Sequence, residues 1–371
     1  MYSIMQFIAY EIDTTPDTVT GKYLGDTSAS KDIDKRCTIM KNAISIAYKN
    51  SKVSKSETVL KLFMAPEFFF RNTDGAYPIE KISEIMTNMR KETSKQNYSH
   101  WLFVLGTAIG YLKHENSSQT EIFNIAMVQK GGPTLKGGGG LREVIIYKEY
   151  ISAIDFLGDY FGANEWWDKS GDKRKITIHG QKGRTVQPTE GSRDILSARK
   201  NKPGDVTWRL NKANEWKKSK VSEVNKSGIG GGSIFEIDDI TFGLEICLDH
   251  MTQRLANYSP QPGENLIQVQ LIPSAGMHIC YGQPDGGGGN IPNSLAGVTN
   301  SLIFNVDGVR SGSEAKIRTA GALTDISVTG DSAISLSGIP YITVTHKKYF
   351  KNYGCIRVYQ GKQIPPAKIK T

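Results

Sequence analysis

Nowhere in the 371-residue chain is there an apolar run of the ~18 residues that a membrane-spanning helix needs, so a span through a bilayer is not expected. The first residues, MYSIMQFIAYEID, lack the basic start and small-residue cleavage site of a secretory signal and alternate as a strand does. Cysteine is scarce: Cys37, Cys247, Cys280 and Cys355 are the only four, and no two stand in a CxxC spacing. That density is too low for a disulfide framework and the spacing wrong for a metal knuckle, which together point to a reducing, cytoplasmic setting. The glycine runs at 137–140, 230–232 and 286–289 contain no GxxxxGK[ST] pattern, so they are expected to be flexible loops rather than a phosphate cradle. No internal repeat stands out.

Negative charge is the minority sign, 37 Asp and Glu against 46 Lys and Arg, a net charge of +9. The imbalance is local. Between 168 and 226 there are 16 basic and 7 acidic residues, an excess equal to that of the whole chain, so the remainder is balanced. The same stretch is poor in strand signals, and the segment 156–230 holds four of the five tryptophans, Trp166, Trp167, Trp208 and Trp216. It reads as a basic, Trp-rich insertion whose aromatics pin it to the body. As a functional element it would be a lid that draws an anionic substrate or an acidic partner. Basic residues interleaved with aromatics also suit single-stranded nucleic acid, but no recognised module is present and nucleic acid is not the expected partner.

Apolar residues make up 38% of the chain, enough for a substantial core. Strand and helix signals alternate as in an α/β fold. KDIDKRCTIMKNAISIAYKN has helical apolar spacing at Ile33, Cys37, Met40, Ile44 and Ala47, with Asp32 placed as a cap. IEKISEIMTNMRKETSK repeats it through Ile79, Ile82, Ile85 and Met89, and DHMTQRLANYS is a third candidate helix. After residue 300, SLIFNVDG, AISLSG, YITVTHKKYF and CIRVYQ read as strands between Gly- and Ser-rich turns, making 330–371 a strand-rich region with a tail.

Three residues carry chemistry. Cys247 in ITFGLEICLDHM stands where an apolar strand gives way to a helix-like stretch, and at a helix N-terminus the thiolate, the reactive form, is favoured. Taken alone, a buried cysteine is as often a small core hydrophobe. LKLFMAPEFFFR is a buried strand that ends in one carboxylate, Glu67, beside Pro66 and three phenylalanines. Desolvation there raises proton affinity, as a general base near neutral pH requires. Lys148 ends the β-branched strand EVIIYK, where a cation can face an oxyanion. Singly, Glu67 reads as a cap and Lys148 as a solvated cation. Together they place Glu, Lys and Cys at the ends of three separate strands, the edge where open α/β folds gather their chemistry.

At these residues the chain resembles the nitrilase, or carbon–nitrogen hydrolase, superfamily. APEFFF resembles its Pro-Glu strand end, YKEYIS its Lys segment and GLEICLDH its Cys elbow. MQFIAYEID, FVLGTAIGY, EIFNIAMV with Asn124, and LIQVQLIPSAG are similar to further strands, so the likeness covers about 1–155 and 230–310. It implies a single domain over 1–371 with a four-layer α-β-β-α sandwich, and a Glu67–Lys148–Cys247 triad. The implied reaction is amide hydrolysis through a thioester, with no metal and no organic cofactor. Substrate contacts would come from Phe68 and Asn124, from the Leu248 backbone N–H as oxyanion donor, from His278 after the next strand, and from Glu190 in QPTEGSRD as a second glutamate. Glu190 and His278 read equally as ordinary loop residues. The implied partners are a small amide, in one variant anionic, and further copies of the chain, with KQIPPAKIKT either a tail reaching a partner subunit or disordered.

Other readings stay open. A Cys-His pairing through His250 or His278 would resemble thiol peptidases, although His250 at helical spacing is expected to project away from the thiol and pack. A binding protein of the same fold would use the basic insertion on an acidic partner. Acyl transfer to an amine and nitrile hydrolysis are variants of the same thioester chemistry.

Overall fold

The computed structural model describes residues 2–17, 23–113, 119–134, 140–149, 175–178, 208–210, 216–218, 223–280, 294–318, 325–337 and 347–371. Two β-sheets pack face to face. The first has the strand order Gly330–Ser335, Cys355–Tyr359, Ile4–Glu11, Val59–Met64, Trp101–Lys113, Gln119–Lys130, Glu143–Tyr147. The second runs Ile234–Ile237, Ile240–Leu244, Val269–Ser274, Leu302–Asp307, Gly312–Arg318, Asp325–Ser327. Parallel pairing holds the centre of each sheet, joining Ile4–Glu11 to Val59–Met64 and on to Trp101–Lys113, and Ile240–Leu244 to Val269–Ser274 and on to Leu302–Asp307. These central strands are almost wholly buried, as strands covered on both faces must be.

Between the sheets lies a core built from alternate residues of each, among them Phe7, Leu62, Val104, Val128, Phe242, Leu271 and Phe304. Phe7 and Phe304 stack across the interface with ring centroids 4.5 Å apart, worth about 0.5–1.5 kcal/mol beyond the area buried. The opposite residues of the first sheet pack beneath α1 (Ala29–Lys49) and α2 (Ile82–Thr93). The α1 stripe Ile33, Cys37, Met40, Ile44 and Ala47 faces inward. The outer face of the second sheet carries a thinner cover, α3 (Leu248–Met251) and the turns after it, over clusters such as Ile234, Leu255 and Ile267. The architecture is thus an α-β-β-α sandwich.

Four sequence expectations are corrected in detail. Asp32 does not cap α1. It is fully buried in the first turn, where its carboxylate accepts from the Asp26 N–H, Arg36 Nε and the Tyr77 hydroxyl. The third helix is a single turn because Gln253 turns to φ +62° and ends it. The glycine run 230–232 is not a free loop: the Gly231 carbonyl, and that of Gly228 just before it, accept from the Tyr147 and Ile145 N–H groups and cover the edge of the first sheet. The C-terminal tail lies along its own chain, with Ile4 opposite Gln363 and the Leu266 N–H donating to the Lys368 carbonyl. Among the described residues no helix is long and apolar enough to cross a membrane.

Candidate active site

The two sheets are laced together at the C-terminal ends of their parallel strands. The Glu67 and Gly308 N–H groups both donate to the Ser274 carbonyl, at 3.3 and 2.8 Å, and the Thr14 N–H donates to the Gly308 carbonyl at 2.9 Å. Glu67, Lys148 and Cys247 each belong to this edge or to a segment hydrogen-bonded to it.

Glu67 follows the Val59–Met64 strand by three residues. Its backbone is held from two sides: Thr14 Oγ1 donates to the Glu67 carbonyl at 2.8 Å, and the next N–H, that of Phe68, donates to Thr107 Oγ1 at 2.9 Å. Phe68 adopts φ +62°, so the chain turns sharply just past the carboxylate. Gly106, at φ +74°, makes room for the turn, because a β-carbon there would stand 2.3 Å from the Pro66 carbonyl oxygen. The Glu67 carboxylate is fully buried, and its Oε1 accepts from Lys148 Nζ and from Asn124 Nδ2, each at 2.8 Å. Lys148, the residue after Glu143–Tyr147, is itself tied to the neighbouring strand by its N–H to the Asn124 carbonyl, 2.9 Å. Removing either member of so buried a pair leaves an uncompensated charge.

Cys247 caps α3 with φ +49° and ψ −107°, a strained conformation for a residue with a side chain. Such strain concentrates at strand-to-helix elbows that present a nucleophile. Its N–H donates to the Pro273 carbonyl at 3.1 Å and its Sγ lies 3.8 Å from the Ala275 carbonyl oxygen. Cys247 and Glu67 therefore share the end of one strand, Val269–Ser274, and its flank as their anchor. Among the described residues the Leu248 N–H has no acceptor.

Behind the elbow is a buried ionic cluster. Arg254 reaches Asp249 (2.9 Å), Glu223 (3.0 Å) and Glu149 (3.8 Å), and donates to the Tyr147 carbonyl at 2.6 Å. Burial alone would lower the guanidinium's proton affinity, but the three carboxylates outweigh it and hold the group charged above its ordinary range. Asp249 also accepts the Glu149 N–H, so the Lys148–Glu149 segment is fastened to the elbow. None of these three carboxylates nor Arg254 is conspicuous in sequence; only the placement of Asp249 two residues past Cys247 hints at it.

His250 is fully buried and faces away from proton transfer at the thiol. The Cys280 N–H donates to its Nε2 at 2.9 Å, which leaves Nδ1 as the protonated nitrogen, donating to Glu245 Oε2 at 2.7 Å. His278 is exposed and bonds Glu314 and Arg310 at the surface. Glu190 and nearly all of the basic insertion lie outside the described residues; Glu223 and Asn225, near its expected end, are buried in the body. Burial pushes the thiols of Cys37 up to about 12 and of Cys280 and Cys355 up to about 11.

No family model and no curated protein matches the chain. Among solved structures it is similar to an amidase from Nesterenkonia sp., at 11% identity over 89% of this chain and 82% of that one, with a TM-score of 0.34. A mutant of the amidase from Nesterenkonia sp. AN1 in complex with butyramide is similar at 11% identity over 88% and 87%, TM-score 0.37. Glutamine-dependent NAD+ synthetase from Acinetobacter baumannii is similar at 14% identity over 74% of this chain and 33% of that one, TM-score 0.28.

Proposed function

We propose that the protein is a cysteine-dependent hydrolase of non-peptide C–N bonds, an amidase of the nitrilase kind. The observation that carries this reading is the fully buried Glu67–Lys148 contact, 2.8 Å, beside a strained cysteine elbow anchored to the same strand end. In this reading the Glu67 carboxylate takes the Cys247 thiol proton as sulfur attacks the amide carbon. The tetrahedral oxyanion is held by the Lys148 ammonium and the Leu248 N–H. Collapse breaks the C–N bond while Glu67 returns the proton to the departing nitrogen, leaving a thioester and free ammonia or amine. Water, giving a proton to Glu67, then attacks the thioester; the C–S bond breaks, the acid leaves and Glu67 returns the proton to the Cys247 sulfur. Asn124 holds the carboxylate oriented throughout. The order of events asks Glu67 to be base and then acid, with Lys148 and Asn124 fixing where its carboxylate points.

Ammonia release from a panel of amides, ureido acids and nitriles, compared between the native chain and Cys247→Ala of matched thermal stability, tests the proposal. Release that vanishes in the variant supports it. No release from any compound, with Cys247 inert to iodoacetamide, overturns it in favour of a binding protein of this fold. Preferential capture of the acyl group by hydroxylamine over water would assign acyl transfer instead of hydrolysis.

A further inference from the structure

Arg71 is four residues past Glu67 and almost wholly buried, 3% exposed. Its Nε donates to the Gly75 carbonyl at 3.1 Å, but Nη1 and Nη2 have no hydrogen-bond partner, and no carboxylate among the described residues pairs with it. The guanidinium is clamped between aromatic rings, 4.3 Å from the Tyr23 centroid and 4.2 Å from that of Phe68. Ring faces stabilise the cation but leave the in-plane N–H donors unanswered. The clamp is itself built in. Gly75, at φ +89°, lies so close to Tyr23 that a β-carbon would stand 2.8 Å from the ring.

A buried guanidinium with its forked end unused is costly to keep unless something completes it. Lys148 Nζ lies 5.9 Å from the same Phe68 ring centroid, so the two cations are separated by no more than the sum of the two distances, about 10 Å. Glu67 answers Lys148; nothing described answers Arg71. The unused edge of Arg71 has the fork geometry that suits a carboxylate.

We propose that Arg71 binds the carboxylate of the substrate, and that the substrate class is the monoamide of a short dicarboxylic acid. Its amide end would lie at Cys247 and Lys148, its carboxylate on the Nη1 and Nη2 edge, and its chain along Phe68. The inference deepens the amidase reading and rests on it for the amide end; the anion site stands on Arg71 alone.

Calorimetric titration of the native chain with glutarate and succinate, neither of them hydrolysable, tests the anion site without catalysis. Saturable binding that weakens at least tenfold in Arg71→Gln and less in Arg71→Lys, which keeps charge without the fork, is the expected result. Equal binding by all three proteins, or no saturable binding by the native chain because water alone completes Arg71, overturns it. Thermal unfolding checks that each variant is folded, and Arg71→Lys serves should Arg71→Gln fail to fold. In parallel, the ratio of kcat/KM for glutaramic acid over butyramide should exceed ten in the native chain and fall several-fold in Arg71→Gln. Arg71-dependent glutarate binding with neither amide hydrolysed would sink the amidase reading and keep the site. Hydrolysis of both amides alike, with no glutarate binding, would sink the site and keep the amidase.

Discussion

One carboxylate, Asp249, accepts from Arg254 Nη1 at 2.9 Å through Oδ2 while its Oδ1 accepts the Glu149 N–H at 3.0 Å. Two strand ends from different sheets are joined by that single side chain, with Arg254 as its counter-ion. Arg254→Met should leave Asp249, Glu223 and Glu149 as buried charges without their cation and cost about 3–5 kcal/mol in urea unfolding at pH 7. A loss under about 1 kcal/mol would mean that the cluster is open to water.

Cys247 should be more stable as glycine. At φ +49° and ψ −107° the cysteine side chain is strained, and Cys247→Gly removes the clash, at the expense of a small buried thiol. Cys247→Gly is expected to gain about 1–2 kcal/mol over Cys247→Ala, which keeps the strain, with both variants devoid of amide hydrolysis. Equal stability of the two would show that the elbow is relaxed.

Gly106→Ala should disturb the candidate base from a distance. The new methyl would meet the Pro66 carbonyl at 2.3 Å on a backbone held at φ +74°, so the Pro66–Glu67 segment must move. The expected cost is about 2 kcal/mol or more in stability, together with a fall in kcat that exceeds any rise in KM. Wild-type rates in the variant would separate the turn from the chemistry.

Lys61 provides a pH signature remote from the site. It is 4% exposed, its ammonium bonds the Ser56 and Val59 carbonyls, and burial, then the charges of Lys55 and Lys130, lower its pKa to about 8. A lysine that titrates near 8 when folded and near 10.5 when unfolded binds fewer protons in the fold. The protein therefore bears the full penalty below pH 8 and sheds it as the pH rises toward 10.5. The native chain should accordingly gain stability relative to Lys61→Met across that window in denaturant titrations. A difference flat with pH would show that Lys61 titrates normally.

The α/β class was legible because its signals are local. The Ile33, Cys37, Met40, Ile44 and Ala47 stripe has helical period and lies in α1, and the apolar runs VLKLFM, ITFGL and LIFNVD form central strands. So was the position of Glu67, Lys148 and Cys247 where strands end. Asp32 was misread because a carboxylate near a helix start looks like a cap whether it is exposed or, as here, buried against Arg36 and Tyr77. The stub of α3 was equally hidden, since LDHMTQRLANY has no breaker and only packing turns Gln253 to positive φ.

Composition and periodicity alone determined that this chain buries parallel strands under amphipathic helices and sets a glutamate, a lysine and a cysteine at strand ends, because those properties depend on neighbours a few residues away. Which ends meet was decided only by the tertiary structure. Sheet order and the cross-sheet hydrogen bonds at Ser274 and Gly308 bring Glu67 to Lys148 across 81 positions and fasten the Cys247 elbow beside them. The same closure buries Arg71 between Tyr23 and Phe68 with its fork unused, a state that no local pattern encodes, because burial and missing partners are properties of the packed chain.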